Sequence, residues 1–280
     1  MLNKQILRII GVFIFFDGLF TLIFGKKFVR LFRFGQHSGL YRRAIEGLLT
    51  WPSWALRAGA AVEAVVGMAL IRKAPMDAQS LYRFFARYYA FIDPGWRDWF
   101  YRRAHSTYDL EIASRLSPGG DVLDLGCGQG ANLSRLLDLN VPFGSYTGVD
   151  LSPEMLAEAR KKFKGQSNVH FQHLDLEKDP LPEGQFDLIT STWVFEHLED
   201  PKQVVDKSWE RLKPGGAMVL LFIISTDTFI SRLISRIYPF FSARLIREDE
   251  LQAFPGIQSI ERFFGPLGEL VLVTLSKPIE

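Results

Sequence analysis

The fold of this chain is decided by the stretch Asp124-Leu125-Gly126-Cys127-Gly128-Gln129-Gly130. Its three alternate glycines remove every Cβ from one side of a turn, so a ligand can approach bare main chain and the next helix can begin with free amide donors. A short apolar run, residues 121–125, precedes the turn, and leucines at helical spacing follow it, at positions 133, 136 and 137. The order strand, glycine turn, helix predicts a ligand site at the rim of an α/β sheet.

The next acidic residue at a strand end supports a nucleotide-like ligand. Asp150 lies twenty residues after Gly130 and ends a second strand-like run, residues 145–149. A carboxylate at this distance from such a turn can accept both hydroxyls of a ribose. The spacing GxGxG nevertheless differs from the GxGxxG of dinucleotide-binding oxidoreductases. A lone aspartate at a strand end is more often a helix cap or a solvated charge, so a turn that binds no ligand stays open at this point.

Four further motifs follow the turn. They are GVDLSPEML at residues 148–156, HLDLE at 173–177, FDLITSTWVFEHLEDP at 186–201 and LKPGG at 212–216. With the glycine turn, they make residues 108–278 resemble a class I S-adenosylmethionine (SAM)-dependent methyltransferase of the type 11, quinone-biosynthesis kind. The resemblance implies a Rossmann-like α/β fold with a seven-stranded, mostly parallel sheet. Alternating apolar residues around Gly265 and Gly268 predict an antiparallel C-terminal hairpin in that sheet.

The resemblance also implies where the cofactor SAM binds. Its cofactor-binding positions fall on Asp124, Gly126, Cys127, Gly128, Asp150, Leu151, Asp175, Leu176 and Thr192. It places the methionine end of SAM on the backbone from Gly126 to Gly128, the ribose on Asp150 and the adenine edge on Asp175 with Leu176. Asp124 is expected to orient either the turn or the amino group of the ligand.

The two candidate catalytic residues are Glu196 and His197, which follow the motif strand. Methyl transfer from a sulfonium needs mainly in-line alignment and exclusion of water, so a catalytic side chain is not obligatory. If a phenol or an enol must lose a proton, these two residues are the natural bases. The alternative is that they only fix the loop after the strand.

The sequence predicts no bound metal and no nucleic-acid partner. Some quinone O-methyltransferases and RNA-end methyltransferases carry Glu-x-x-Glu-His with a divalent metal, but Trp193 stands at the first acidic position of that pattern. The formal net charge of +2 gives no global field of the kind that favours nucleic acid. The Asn/Asp-Pro-Pro-Tyr/Phe tetrad of amine methyltransferases is also missing. The one cysteine, Cys127, excludes an internal disulfide and is interpreted as a small residue of the turn.

The N-terminal part of the chain contains two apolar stretches, residues 5–25 and 51–71, each close to the roughly 20 residues that a membrane-spanning helix needs. Asp17 interrupts the first stretch, and Arg57 and Glu63 interrupt the second. A membrane-embedded hairpin is predicted, with Asp17 and Arg57 at similar depth and neutralising each other. The alternatives are a shallow, non-crossing insertion and a soluble helical layer with a buried ion pair.

These patterns divide the chain into three predicted parts. Residues 1–75 form the hydrophobic hairpin, 76–107 an aromatic and basic connector with lid helices, and 108–280 the methyltransferase domain. The predicted function is transfer of a methyl group from SAM to a lipid-like acceptor, namely a quinone precursor, an isoprenoid or a phospholipid headgroup, by a membrane-associated protein with a cytoplasmic catalytic domain. A soluble small-molecule acceptor and a non-catalytic SAM-binding membrane protein remain alternatives. The sequence predicts no oligomeric state.

Overall fold

The computed structural model describes residues 4–31, 39–72 and 101–279, apart from 229–230, 233–234, 237, 242 and 266–267. Its contacts fall into two compact units, residues 1–76 and 77–280. Most of the predicted connector, residues 76–100, lies outside the described residues, and so do residues 32–38.

The N-terminal unit is helical. Its helices are α1 (Lys4–Phe24), α2 (Lys26–Leu31), α3 (Gly39–Thr50) and α4 (Ser53–Arg72). Helices α1 and α4 run antiparallel and touch through small residues. A Cβ added to Gly18 would lie 2.5 Å from the carbonyl oxygen of Ala60, and one added to Gly67 would lie 2.4 Å from the amide nitrogen of Phe15. The two backbones are therefore in direct contact.

The predicted pairing of Asp17 with Arg57 is wrong. Because Gly18 packs against Ala60, Asp17 lies level with Glu63 on α4. Arg57 lies instead beside Gly25, with its Nε 3.7 Å from the position of a Cβ on that glycine. Eight residues of helix, or about 12 Å at ~1.5 Å per residue, separate the levels of the two side chains. The sequence-based prediction failed because it assumed that residues equally far from the two ends of the linking segment lie at the same level.

The second unit is an α/β sandwich. Its helices and strands, in chain order, are α5 (Arg102–Arg115), β1 (Val122–Leu125), α6 (Ala131–Asp138), β2 (Tyr146–Asp150), α7 (Pro153–Lys162), β3 (Val169–His173), β4 (Phe186–Thr192), α8 (Pro201–Glu210), β5 (Leu212–Ile224), α9 (Glu248–Gln252), β6 (Ile257–Gly265) and β7 (Gly268–Ser276). Short 3₁₀ turns span Phe195–His197 and Tyr238–Phe241.

The seven strands form one sheet in the order β3-β2-β1-β4-β5-β7-β6. Strands β1 to β5 pair in parallel, whereas β7 pairs antiparallel with both β5 and β6. This topology confirms the predicted Rossmann-like fold and its antiparallel C-terminal hairpin. The strand order reverses between β1 and β4, and ligands of open α/β sheets bind in the crevice at that point.

Both faces of the sheet are buried, which fixes the positions of the strand ends. One core contains Leu125, Phe195 and Phe222, and the other contains Tyr108 and Tyr146. All four residues of β1 are buried, as expected for a central parallel strand covered by helices on both sides. The residues that follow β1, β2 and β4 are therefore held at one rim by a rigid support.

Candidate active site

The glycine turn presents bare backbone at the end of β1. Gly126, Gly128 and Gly130 have φ of 68°, 54° and 77°, in the left-handed region that favours glycine. A Cβ on Gly126 would lie 2.2 Å from Cγ2 of Val194, so the loop after β4 touches the turn. A Cβ on Gly128 would meet nothing within 4 Å. The open side of the turn is therefore at Gly128.

Asp124 supports the turn from beneath. Its carboxylate is fully buried and accepts hydrogen bonds from Nδ2 of Asn132, at 2.8 Å, and from the hydroxyl of Tyr146. Burial raises the pKa of Asp124 to about 7, against the opposing effect of these two donors. Both oxygens are engaged by side chains of α6 and β2. Of the two roles expected for Asp124, the geometry favours orientation of the turn over direct contact with a ligand.

Asp150 joins the end of β2 to the turn. Its Oδ2 accepts from the amide of Gly128 and its Oδ1 from the amide of Ser152, both at 2.8 Å. Burial raises the pKa of Asp150, and the two amide donors oppose that shift. Leu151 follows it at the same rim. The carboxylate thus lies against the open side of the turn.

Asp175 and Leu176 follow β3 at the same edge of the sheet. The segment is tied to β2, because the amide of Leu174 donates to the carbonyl of Asp150 at 3.0 Å. Burial would raise the pKa of Asp175, but hydrogen bonds from Lys178 and from the amide of Glu177 outweigh it and hold the pKa below its usual range. Leu176 is buried. The predicted adenine-side residues therefore lie next to the predicted ribose ligand.

Thr192 ends β4 and leads into a strained residue. Trp193 has φ of 60°, a conformation that costs a bulky residue about 1–3 kcal/mol. Its amide donates to the carbonyl of Leu221 at 3.0 Å, and its indole lies 5.5 Å from the ring of Tyr101. Ser191 donates its hydroxyl to the carbonyl of Leu125 at 2.8 Å and so ties β4 to β1. No sequence pattern indicated the conformation of Trp193.

Glu196 lies beneath the loop after β4. It is 3% exposed, and its Oε1 accepts from the amide of Ile223 at 2.7 Å, where β5 extends beyond the end of β4. Its Oε2 has no hydrogen-bond partner among the described residues. His197 adjoins it in the 3₁₀ turn and is half-buried. The geometry around Glu196 favours the loop-fixing role, because its carboxyl group accepts the hydrogen bond of the Ile223 amide at a point on β5 beyond the last residue of β4.

Replacing Glu196 with glutamine will stabilise the protein at high pH. Burial raises the pKa of Glu196 to about 7, so the folded protein holds a proton that the unfolded chain releases near pH 4.5. That contribution is complete below pH 4.5 and is lost as the pH rises through 7. Glutamine cannot ionise. The unfolding free energy of Glu196→Gln relative to that of the wild type should therefore rise by on the order of 2–3 kcal/mol from pH 5 to pH 8. Denaturant unfolding at both values measures this, and parallel pH profiles would refute it.

Arg244 is a residue of the site region that the sequence did not identify. Its Nε donates to the carbonyl of Leu198 at 3.0 Å and one terminal nitrogen donates to that of Glu199 at 3.1 Å, while its fork binds both oxygens of Glu250 at 2.9 Å. Its backbone amide also donates to the carbonyl of Glu196 at 2.7 Å. Arg244 thereby holds the loop after β4 in place. No local pattern could reveal this, because the loop lies more than forty residues away in the chain.

Cys127 serves as a small buried residue. Its thiol packs against Gly148, where a Cβ would lie 2.8 Å from Sγ, and burial raises the pKa of the thiol well above its usual value. A nucleophilic thiolate is disfavoured in such surroundings. Across the part of the chain that the structure describes, no group of three or more His, Cys, Asp or Glu side chains could hold a metal ion. The expectation of a metal-free site stays a prediction.

Comparison with known proteins identifies the kind of domain. Residues 123–218 match a methyltransferase domain family. The chain carries a class I SAM-dependent methyltransferase domain. SAM is its cofactor, and the predicted identity of the domain and of its cofactor is confirmed. The seven-stranded sheet and the rim geometry of this methyltransferase domain agree with that assignment.

Three similar proteins show how far the comparison reaches. The chain is 35% identical over 111 residues to the ubiquinone/menaquinone biosynthesis C-methyltransferase of Desulfotalea psychrophila. The aligned region covers 39% of this chain and 44% of that protein. The chain is 37% identical over 110 residues to the malonyl-[acyl-carrier protein] O-methyltransferase of Acetivibrio thermocellus, covering 39% and 36%. The N-methyltransferase NodS of Bradyrhizobium japonicum, solved with S-adenosylhomocysteine (SAH), superposes with a TM-score of 0.51 at 18% identity, covering 63% and 87%. The chain spans less than half of the first two proteins.

Proposed function

We propose that this protein transfers a methyl group from SAM to a hydrophobic, lipid-like acceptor at a membrane. The observation that carries the proposal is the presence, in one chain, of a SAM-type site and of a helical unit with an exposed apolar surface. The similarity to a methyltransferase of ubiquinone and menaquinone biosynthesis supports an acceptor of this kind. A quinone precursor, an isoprenoid and a phospholipid headgroup all meet the requirement.

The membrane part of the proposal rests on helix α4 and its surroundings. Among the described residues, one helical segment, Ser53–Ile71, is long and apolar enough to cross a bilayer. Val62 and Val65 on this helix are 63% and 67% exposed, and Trp54 is exposed near its start. Exposed apolar side chains with tryptophan at one end are typical of helices that contact lipid. The proposed location is therefore membrane-associated, with the methyltransferase domain in the cytoplasm.

The described residues support a transfer that depends on positioning. Bound SAM supplies an electrophilic methyl group on a sulfonium. The turn from Gly126 to Gly128 binds the methionine end, Asp150 binds the ribose, and Asp175 holds the adenine edge. The rings of Tyr101 and Trp193 pack against each other beside the end of β4. Close alignment and a dry site are the main requirements of this reaction, so Glu196 or His197 would act as a base only for an acceptor that must lose a proton.

Lysine at the exposed face of α4 should release the protein from membranes. In the double variant Val62→Lys, Val65→Lys, two charges would lie where the apolar face contacts lipid, at a cost of about 2–3 kcal/mol each near a bilayer centre. Leu110→Lys is the matched control, because Leu110 is 70% exposed on α5 of the other unit. We expect the double variant to move to the soluble fraction after sedimentation and the control to stay with membranes. Equal retention of both would argue against lipid contact at α4.

The acceptor class can be tested with radiolabelled SAM. Purified protein is incubated with three probes in separate reactions: phosphatidylethanolamine vesicles, reduced 1,4-naphthoquinone in detergent, and an aqueous metabolite extract. Label in the organic phase of either of the first two supports a lipid-like acceptor. Label that stays in the aqueous phase supports the alternative of a soluble metabolite. Tight SAM binding without label in any fraction supports the second alternative, a non-catalytic SAM-binding protein.

A further inference from the structure

Trp193, the residue after β4, has a strained backbone and lies next to the loop residue that touches the glycine turn. Trp193 has φ of 60°, and its amide is held by the carbonyl of Leu221. The following residue, Val194, is the one that packs against Gly126 in the glycine turn. Strained residues of this kind persist where their surroundings hold them, and they cluster at active sites. Trp193 therefore lies one residue from the contact between the loop and the proposed methyl-donor site.

Two rings hold the indole of Trp193. The ring of Tyr101 lies 5.5 Å from it at an interplanar angle of 60°, and the ring of His105 lies 6.1 Å from it at 34°. Tyr101 is buried and donates its hydroxyl to the carbonyl of Gly268 at 3.3 Å, at the start of β7. The indole is thus fixed from the side of α5 and of the C-terminal hairpin.

His105 is itself fixed by a buried arginine. A terminal nitrogen of Arg135 lies 2.9 Å from Nδ1 of His105. Arginine has only donors, so Nδ1 must accept and His105 is neutral with its proton on Nε2. Arg135 is 5% exposed, binds Asp109 at 2.5 Å and lies over the ring of Tyr108 at 5.6 Å. A chain of polar contacts from Asp109 to His105 therefore supports the ring that packs beside Trp193.

We propose that Trp193 determines specificity by forming an aromatic wall of the acceptor site, on which a planar, uncharged acceptor ring stacks. This inference rests on the proposed function. The indole is half-buried, so part of its surface stays accessible. The position carries a carboxylate in the metal-linked pattern described above, and an indole replaces that charge with an apolar π surface suited to stacking. His105 and Arg135 act through Trp193 as positioning residues.

The test measures binding of a planar probe and does not require turnover. The full chain in detergent is saturated with SAH, and saturable binding of 2-naphthol is measured by calorimetry for the wild type and three variants. Trp193→Leu removes the ring and should weaken 2-naphthol binding about three- to tenfold. Trp193→Phe keeps an aromatic face and should weaken it less than Trp193→Leu. Trp209→Phe is the matched control, because Trp209 packs on Gly256 next to the end of β7, away from the rim.

The outcomes separate this inference from the proposed function. SAH affinity should remain within about twofold of wild type in all three variants, since a stacking wall is not part of the methyl-donor site. Equal 2-naphthol affinity for wild type and Trp193→Leu, or no saturable binding to the wild type, would overturn the aromatic wall. A parallel loss of SAH affinity in Trp193→Leu would show a purely structural role and would also overturn it. Failure of the proposed function appears instead in the radiolabel assay with wild-type protein.

Discussion

The Gly126→Ala variant will lose SAM binding and much of its stability. An alanine Cβ at this position would lie 2.2 Å from Cγ2 and 2.9 Å from Cγ1 of Val194, and the backbone φ of 68° is itself unfavourable for alanine. Relief of the clash requires displacement of the loop after β4 from the turn. Overpacking and backbone strain together should cost about 2–4 kcal/mol in the free energy of unfolding. Denaturant unfolding and calorimetry with SAH measure the two effects.

Gly128→Ala is the matched control, because it separates strain from the clash. Gly128 also has a left-handed φ, of 54°, but nothing lies within 4 Å of the position of its Cβ. We expect a stability loss of about 1 kcal/mol from strain alone. The added methyl group would nevertheless occupy the open side of the turn, so SAH affinity should fall at least about tenfold. If Gly126→Ala were as stable as Gly128→Ala, the contact between Val194 and the turn would be refuted.

Asp150→Ala will weaken SAM binding by about a hundredfold or more. The variant removes the proposed ribose ligand and also the two hydrogen bonds that its carboxylate accepts from the amides of Gly128 and Ser152. Hydrogen bonds to a charged group contribute about 1.5–3 kcal/mol each, and 1.4 kcal/mol corresponds to a factor of ten in affinity. Isothermal titration with SAH gives the affinity directly.

Asp206→Ala is a suitable control for Asp150→Ala. Asp206 is a half-exposed aspartate on α8 whose partner is Lys202 one helical turn away. Exposed pairs of this kind contribute about 0–1 kcal/mol, so neither SAH affinity nor the unfolding free energy should change measurably. Unaltered SAH affinity in Asp150→Ala would remove the ribose ligand from the proposal and would leave the site without its central contact.

The sequence predicted those parts of the site that depend on local pattern. The glycine turn, Asp150 and the strand ends were found because short motifs and spacing determine them, and the parallel sheet confirms that they share one rim. Glu196 was identified, but its contact with Ile223 was not, because it depends on how far β5 extends beyond β4. Arg244 carries no motif, since its role arises only where distant segments of the chain meet. No periodic pattern in the sequence predicts tertiary contacts of this type.

The N-terminal hairpin shows the same limit. Its apolar composition predicted two helices, and α1 and α4 occupy those stretches. The register between them was predicted wrongly for Asp17, because the alignment is set by Gly18 and Gly67, whose missing side chains let the opposite backbone approach. The prediction inferred the register of α1 against α4 from the charged residues, whereas contact between the two backbones determines it.

The contact between α1 and α4 has a consequence for where this hairpin can persist. Cohesion that comes from van der Waals contact between main chains does not require water to be expelled, so it survives when hydrocarbon replaces water as the surrounding medium. A pair of helices joined in this way would keep its shape during insertion and need not reassemble afterwards. The packing of α1 on α4 at Gly11, Gly18 and Gly67 would then be the same in water and in hydrocarbon.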